Sequence, residues 1–372
     1  MLVLTILLSP FNLLFLITIA GFAIGKIRMK HVSLGIAGIL FAGMMIGMLI
    51  NRFIPTTYME IVTNTQSTMK VFSKLGTSLF VSVIGLQTGF SIKNNSKESL
   101  LAFIIGGLMS MAGVIIMQLI SVLDKGISYS SLLGILCGAL TSTPGLSSVC
   151  ELVGTDSEEA VLGYGYSYLF GVIFVVIFVQ ILSCSVAEKV LPKTKSPSTT
   201  GNIYPELILI NITALFGNIL GTLHIPFLHI SIGNTASTLL IGLTVGYIVQ
   251  RNFANVQISS HIINSFKNLG LALFFTGTGF ASGLQSVAFD IKSVLYGALI
   301  TLTAILFGWM LCKIVSIRCL LHNGFVIAGG MTSSPAYGTI RSKASENSIN
   351  QFSFAYFGAL ISLVIAIQII GR

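Results

Sequence analysis

Two short stretches bring together residue types whose chemistry stands out in an otherwise apolar chain: Thr141-Ser142-Thr143-Pro144 and Thr332-Ser333-Ser334-Pro335. Proline cannot continue a helix that precedes it, yet it fits the first turn of a new one, where its missing N–H costs nothing. Thr143 and Ser334 directly precede the prolines and are of types that cap helix N-termini well. A helix starting at such a break presents unpaired backbone N–H groups and the positive end of its dipole, with Gly145 or Ala336 in its first turn. The hydroxyls of Thr141, Ser142, Thr332 and Ser333 can add hydrogen bonds. Two such ends facing one another make a site for a carboxylate. A proline-kinked helix packed by small residues is the alternative for either stretch alone. The recurrence of the pattern in matching places speaks for a paired binding tip.

The elements that hold these tips must be membrane helices. The chain is 54% hydrophobic and 8% charged, with a mean hydropathy of +0.93, which leaves too little charge to coat a soluble domain. Apolar stretches recur at 3–24, 33–50, 101–123, 160–187, 232–249, 294–312 and 350–370, each near the length that crosses a hydrocarbon core of ~30 Å. They are hydrophobic on every face, unlike the alternating pattern of barrel strands. The expected class is all-α and integral to the membrane. No basic residue precedes Lys26, and the first apolar run is too long for a signal core, so it reads as the first membrane helix. The net charge of +9 is dispersed between apolar segments, without a basic stripe, and so carries topology information and implies no nucleic-acid partner. The five cysteines show no metal-ligand spacing and read as small packed residues.

The chain is duplicated. Residues 71–90 align without gaps on 265–284, sharing Phe72/Phe266, Leu75/Leu269, Gly76/Gly270, Leu79/Leu273, Phe80/Phe274, Gly85/Gly279 and Gly89/Gly283. GALTSTPG at 138–145 matches GGMTSSPA at 329–336, Gly43-x-x-x-Gly47 matches Gly242-x-x-x-Gly246, and Gly21-x-x-x-Gly25 matches Gly217-x-x-x-Gly221. The predicted units are a first membrane repeat at 1–187, a polar linker rich in Pro, Ser and Thr at 188–205, and a second repeat at 206–372. If the tip segments dip in and return on one side, each half has five crossings, and the Lys and Arg residues divide fourteen inside to six outside. If they cross fully, the division is eight to twelve. The positive-inside bias favours the dipping form, and five crossings make the second half inverted. The expectation is two inverted five-helix repeats, about ten crossing helices plus two re-entrant hairpins, with both termini outside and the linker cytoplasmic. Inverted halves can exchange roles between outward-open and inward-open states. A duplication without alternating access is the alternative.

Other candidates are open on the sequence alone. Gln87, Thr88, Thr276 and Thr278 lie in glycine-broken stretches of equivalent helices, as additional substrate contacts or as plain packing. Tyr164, Tyr168 and Tyr356 follow the tips, facing either a substrate or the interior. Arg341 either reaches a substrate carboxylate or anchors the inner face. The GxxxG pairs read as close helix contacts. All eleven acids and all five histidines fall in predicted loops or near helix ends. A proton-coupled carrier usually keeps an ionisable residue inside the bundle, and a hydrolase needs a buried reactive set. The expectation is a protein that is no enzyme and holds no metal or cofactor.

The runs GIAGILFAGMMIG (35–47), SLFVSVIGLQTGF (78–90), GALTSTPGL (138–146), GYGYSYLFGVI (163–173), LALFFTGTGFASG (271–283) and GGMTSSPAYG (329–338) resemble the aspartate:alanine exchanger family over essentially the whole membrane portion. The resemblance implies exchange of amino acids or small carboxylates across a bacterial inner membrane. Larger relatives carry ligand-binding domains in the central cytoplasmic loop, where this chain has only 188–205. Leu169 stands where the family would have proline, and the tips continue PGL and PAY in place of PAL. The glutamate:sodium symporter family is architecturally similar, which implies a homodimer and an elevator-type displacement of the site. The expected activity is secondary active exchange of a small anionic or zwitterionic carboxylate. A sodium-coupled symporter and a channel or non-transporting scaffold are the alternatives.

Overall fold

A computed structural model describes residues 2–26, 28–29, 32–33, 35–91, 97–184, 203–222, 224–225, 230–231, 233–252, 259–284, 290–316, 322–340 and 346–371. Helix α1 (Leu2–Leu7) leads to Ser9, whose extended backbone precedes Pro10 at the start of α2 (Pro10–Gly25). A two-residue ladder follows, β1 (Arg28–Met29) against β2 (Val32–Ser33), then a 3-10 turn and α3 (Gly38–Phe53). Next come the long α4 (Met59–Ser91) and α5 (Lys97–Leu123), a broken pair α6 (Tyr129–Ala139) and α7 (Thr143–Val153), and α8 (Ser157–Cys184). The same order then repeats: α9 (Tyr204–Thr222), β3 (His224–Ile225) with β4 (Ile230–Ser231), α10 (Asn234–Asn252), α11 (Ser260–Gly283), α12 (Ile291–Ser316), the broken pair α13 (Asn323–Gly330) and α14 (Ser334–Ile340), and α15 (Glu346–Ile370).

The two small ladders qualify the all-α expectation, and both lie at the same place in the repeated order. Helix α9 starts inside the stretch assigned to the linker, with Pro205 in its first turn, where proline's missing N–H is harmless. The linker up to residue 202 lies outside the described residues. Among the described residues, seven helical segments are long and apolar enough to cross a membrane. Among the long helices, α2 has only 16 residues, while α10 and α11 are more polar. The large apolar side chains of Phe15, Ile19, Leu119, Leu123, Leu299 and Leu306 point outward and are exposed. In water such a belt would be unfavourable, but hydrocarbon is its natural surrounding.

The helices pack as two bundles, and each bundle draws the same elements from both halves. One holds α2, α3 and α4 with α9, α10 and α11; the other holds α5 to α8 with α12 to α15. Glycines set the first bundle. Gly43 and Gly47 of α3 lie on the backbone of Gly279, Phe280 and Gly283 in α11, and Gly242 and Gly246 of α10 lie on Gly85, Leu86 and Gly89 in α4. Helices α4 and α11 cross at Gly76 and Gly270: a Cβ on Gly76 would stand 2.5 Å from the Gly270 carbonyl oxygen, and one on Gly270 2.8 Å from that of Gly76. Such approach is open only to residues without a side chain. Beside the crossing, the rings of Phe80 and Phe274 lie tilted against one another with centroids 5.5 Å apart. These contacts are reciprocal, so corresponding parts of the two halves meet one another.

Candidate functional site

Both proline stretches break their helices, and they do so in the same way. After α6, Thr141 takes a left-handed backbone (φ 53°), and after α13 so does Thr332 (φ 48°). The Thr141 N–H donates to the Gly138 carbonyl at 2.9 Å and the Ser142 N–H to that of Cys137 at 2.8 Å. In the second break Thr332 N–H donates to Gly329 O at 2.7 Å and Ser333 N–H to Ala328 O at 2.9 Å. Each is a Schellman helix end, in which glycine normally takes the left-handed position. A β-branched residue there costs about 1–2 kcal/mol, so its side chain must return something. It does: the Thr141 hydroxyl donates to the Met331 carbonyl at 2.6 Å, and the Thr332 hydroxyl donates to the Leu140 carbonyl at 3.0 Å. The two tips are strapped to one another.

The second residue of each tip starts the next helix. Ser142 Oγ accepts from the Gly145 N–H at 3.2 Å, and Ser333 Oγ accepts from the Ala336 N–H at 3.3 Å. The caps are therefore Ser142 and Ser333, one residue before the expected Thr143 and Ser334, because proline fits the second helical position as well as the first. This changes the chemistry on offer. Proline has no N–H and the serine engages the next, so the Thr143 N–H is the first-turn donor left at the first tip. The hydroxyl protons of Thr141 and Thr332 are committed to the strap, and Ser142 and Ser333 are fully buried as caps.

Beneath the tips lies a cavity of ≈ 330 Å³ between the two bundles. The tip-bearing bundle contributes Thr141, Thr143, Pro144, Thr332 and Pro335, with Tyr168 of α8 and Tyr356 of α15. The other bundle contributes Ile36, Ile84, Leu271 and Phe275, and the polar pair Lys267 and Asn268 of α11. Among the described residues, Lys267 is the one charged residue in this lining. Tyr164 lies behind Tyr168, their rings stacked at 5.1 Å, with its hydroxyl 3.4 Å from that of Thr143. A small chamber lined by apolar and polar groups in comparable measure can take a small polar ligand.

A family model described as "Predicted Permease Membrane Region", that of the aspartate:alanine exchangers, matches residues 13–184 and again 209–372. The chain belongs to this family. It is similar to an uncharacterized transporter of Desulfotalea psychrophila, 34% identical over 178 residues that make up 46% of this chain and 28% of the relative. An uncharacterized transporter of Bacteroides fragilis is 34% identical over 174 residues, 47% of this chain and 30% of the relative. One of Bacteroides thetaiotaomicron is 33% identical over 176 residues, 47% of this chain and 30% of the relative. The matched part of the chain thus spans less than a third of the length of these curated relatives.

In this permease-family chain the structure brings some of the expected residues together and leaves others apart. Tyr168 and Tyr356 reach the cavity, whereas Gln87, Thr88, Thr276 and Thr278 do not line it. Gln87 donates to Asn264 at 3.0 Å, Thr88 to the Ile84 carbonyl at 2.8 Å and Thr278 to the Phe274 carbonyl at 2.7 Å. Thr276 is fully buried, 3.5 Å from the Thr18 hydroxyl. Their polar groups serve helix packing. Gly145 is buried against Leu363, and Ala336 is buried outside the lining. Ser334 opens α14, and Arg341 lies outside the described residues. Among the described residues, no three His, Cys, Asp or Glu side chains form a metal-holding group.

Lys267 was missed as a site residue by sequence reasoning, which had it only among the fourteen basic residues counted inside. The available signal was in the repeat itself: the alignment puts Lys267 opposite Ser73, within a run of shared residues. A contact between the bundles also went unseen. Glu151, near the end of α7, accepts from the backbone N–H groups of Asn234 and Thr235 at the start of α10, the latter at 2.9 Å. Ser147 adds bonds to Thr77 at 3.2 Å and Thr235 at 3.1 Å.

Proposed function

We propose that this chain is the membrane part of a secondary transporter that exchanges small anionic or zwitterionic carboxylates, amino acids among them, by alternating access. The observation that carries this reading is the chamber between the bundles, where both strapped tips and a single lysine converge. A carboxylate there meets the Thr143 N–H and hydroxyl, the Asn268 amide and the Lys267 ammonium, in a low-dielectric setting where each counts for more than in water. The Lys267 ammonium suits a cargo that carries a carboxylate. Displacement of the tip-bearing bundle along the glycine-crossed one would carry the cargo between faces, with the halves inverted, the termini outside, the linker cytoplasmic and two copies joined through the glycine-crossed bundle, in a bacterial inner membrane.

Sodium-coupled symport is the second reading: the carbonyls of Leu140 and Met331 at the breaks each accept one threonine hydroxyl and keep a second lone pair for a cation. The deciding experiment is counterflow in proteoliposomes with radiolabelled L-aspartate, L-alanine and succinate, with and without a sodium gradient. Acceleration of labelled uptake by internal unlabelled substrate, saturable and indifferent to sodium, is the expected result. Non-saturable flux would indicate a channel, and dependence on the gradient would indicate the symporter.

A further inference from the structure

The two halves each place a lysine beside the same glycine crossing, but one residue apart. In α4 the sequence is Phe72-Ser73-Lys74-Leu75-Gly76, and in α11 it is Phe266-Lys267-Asn268-Leu269-Gly270. Both Lys267 and Asn268 line the chamber, and their counterparts are Ser73 and Lys74. Helices α4 and α11 meet reciprocally at Gly76 and Gly270, and the tips meet reciprocally through Thr141 and Thr332. Each bundle is thus built about the same kind of two-fold exchange between halves. Sliding one bundle on the other until the halves trade places brings Ser73 and Lys74 to the tips where Lys267 and Asn268 now stand.

We propose that Lys267 and Lys74 are alternate counter-charges for the cargo, one for each facing state, so that the anion leaves one lysine and is received by the other. This rests on the alternating-access reading and adds to it the residue that recognises cargo on each side. Lys74 suits the role because it is exposed outside the present chamber, and neither it nor Lys267 belongs to an ion pair among the described residues. Lys70, one turn earlier on α4, is by contrast held by Glu158 at 2.9 Å. Neither lysine rides on the tip-bearing bundle. A counter-charge fixed to the carrier's moving part would travel with the anion and stay bound to it; one left behind at each face releases it. Because the cargo keeps one positive partner at each end of the path, neither face holds it far more tightly than the other, which an exchanger needs in order to turn over in both directions.

The test is sided counterflow of radiolabelled L-aspartate, L-alanine and succinate in right-side-out and inside-out vesicles. Lys267→Gln is expected to raise the KM roughly tenfold or more at one face, with the other within about twofold, and Lys74→Gln to do the reverse. Lys267→Arg and Lys74→Arg, which keep the charge, should restore much of the affinity. An equal effect of either glutamine variant on both faces, or no effect of Lys74→Gln at either, overturns the proposal. Should a glutamine variant fail to accumulate, the methionine variants carry the same reading. If the wild-type protein exchanges none of the three probes, the transport reading itself falls, and the lysine proposal with it. If it exchanges and the variants show no sidedness, only the lysine proposal falls.

Discussion

The two bundles solve one problem, how equivalent helices from two halves can meet, with opposite chemistry. In the first, α4 and α11 cross on bare backbone at Gly76 and Gly270, with the Ser73 hydroxyl donating to the Phe274 carbonyl at 3.4 Å beside them. In the second, the tips meet through hydroxyls, Thr141 to the Met331 carbonyl and Thr332 to the Leu140 carbonyl. The glycine crossing depends on close fit and tolerates no added atoms. The threonine strap depends on direction, and it leaves the proline side of each tip open to the chamber. One contact is suited to lock a bundle into a rigid frame, the other to hold a binding site in shape.

Substitutions break this contrast in a definite order. Gly76→Leu or Gly270→Leu should have the largest effect, because the new side chain must enter the partner's backbone; we expect a loss of roughly 3 kcal/mol or more, read as a collapse of the monodisperse peak after detergent extraction. Thr141→Val or Thr332→Val comes next. Each leaves a buried carbonyl without its donor while keeping the left-handed strain, for about 1–3 kcal/mol, and a lowered Tm together with weakened counterflow would show it. If the valine variants bound and exchanged normally, the tips would not need the strap.

Smaller changes sharpen the comparison at the places where the bundles touch or end. Glu151→Gln keeps the shape of the contact between α7 and α10 but removes the charge that faces two N–H groups; about 1 kcal/mol or less is expected, seen as faster proteolysis at the α10 start. The smallest effect belongs to Asp124, at the end of α5. The Gly126 N–H, the Tyr296 hydroxyl and the Lys292 ammonium hold its carboxyl below the usual carboxylate range. A depressed value in the folded state means that its contribution is complete above about pH 4 and fades as pH falls through the lowered value. Asp124→Asn should therefore lower the Tm slightly at neutral pH and no longer do so in strong acid. A gap that persisted in acid would assign the effect to packing.

The tips were legible because their chemistry is local. Proline, serine and threonine dictate a break wherever they fall in an apolar helix, and repetition marked the break as meaningful. The exact cap was not legible, since Pro144 is acceptable at the first or second helical position and only the Ser142–Gly145 bond decides between them. Thr88 and Thr278 looked available for a ligand, yet each bonds a carbonyl one turn back on its own helix, a choice that composition does not reveal. Lys267 was hidden for another reason. Which way a side chain on α11 points is set by how that helix rotates about its glycine crossing with α4, a contact between residues almost two hundred positions apart.

The strap also bears on how the chain comes to exist. While the first half is being made, the Thr141 hydroxyl has no Met331 carbonyl to reach, and Leu140 waits on a threonine that follows it by 192 positions. Neither half can make the strap alone, and we expect each to be incompletely held until the other is present. Expressed as separate polypeptides, each should be degraded alone and rescued by synthesis of the other in the same cell.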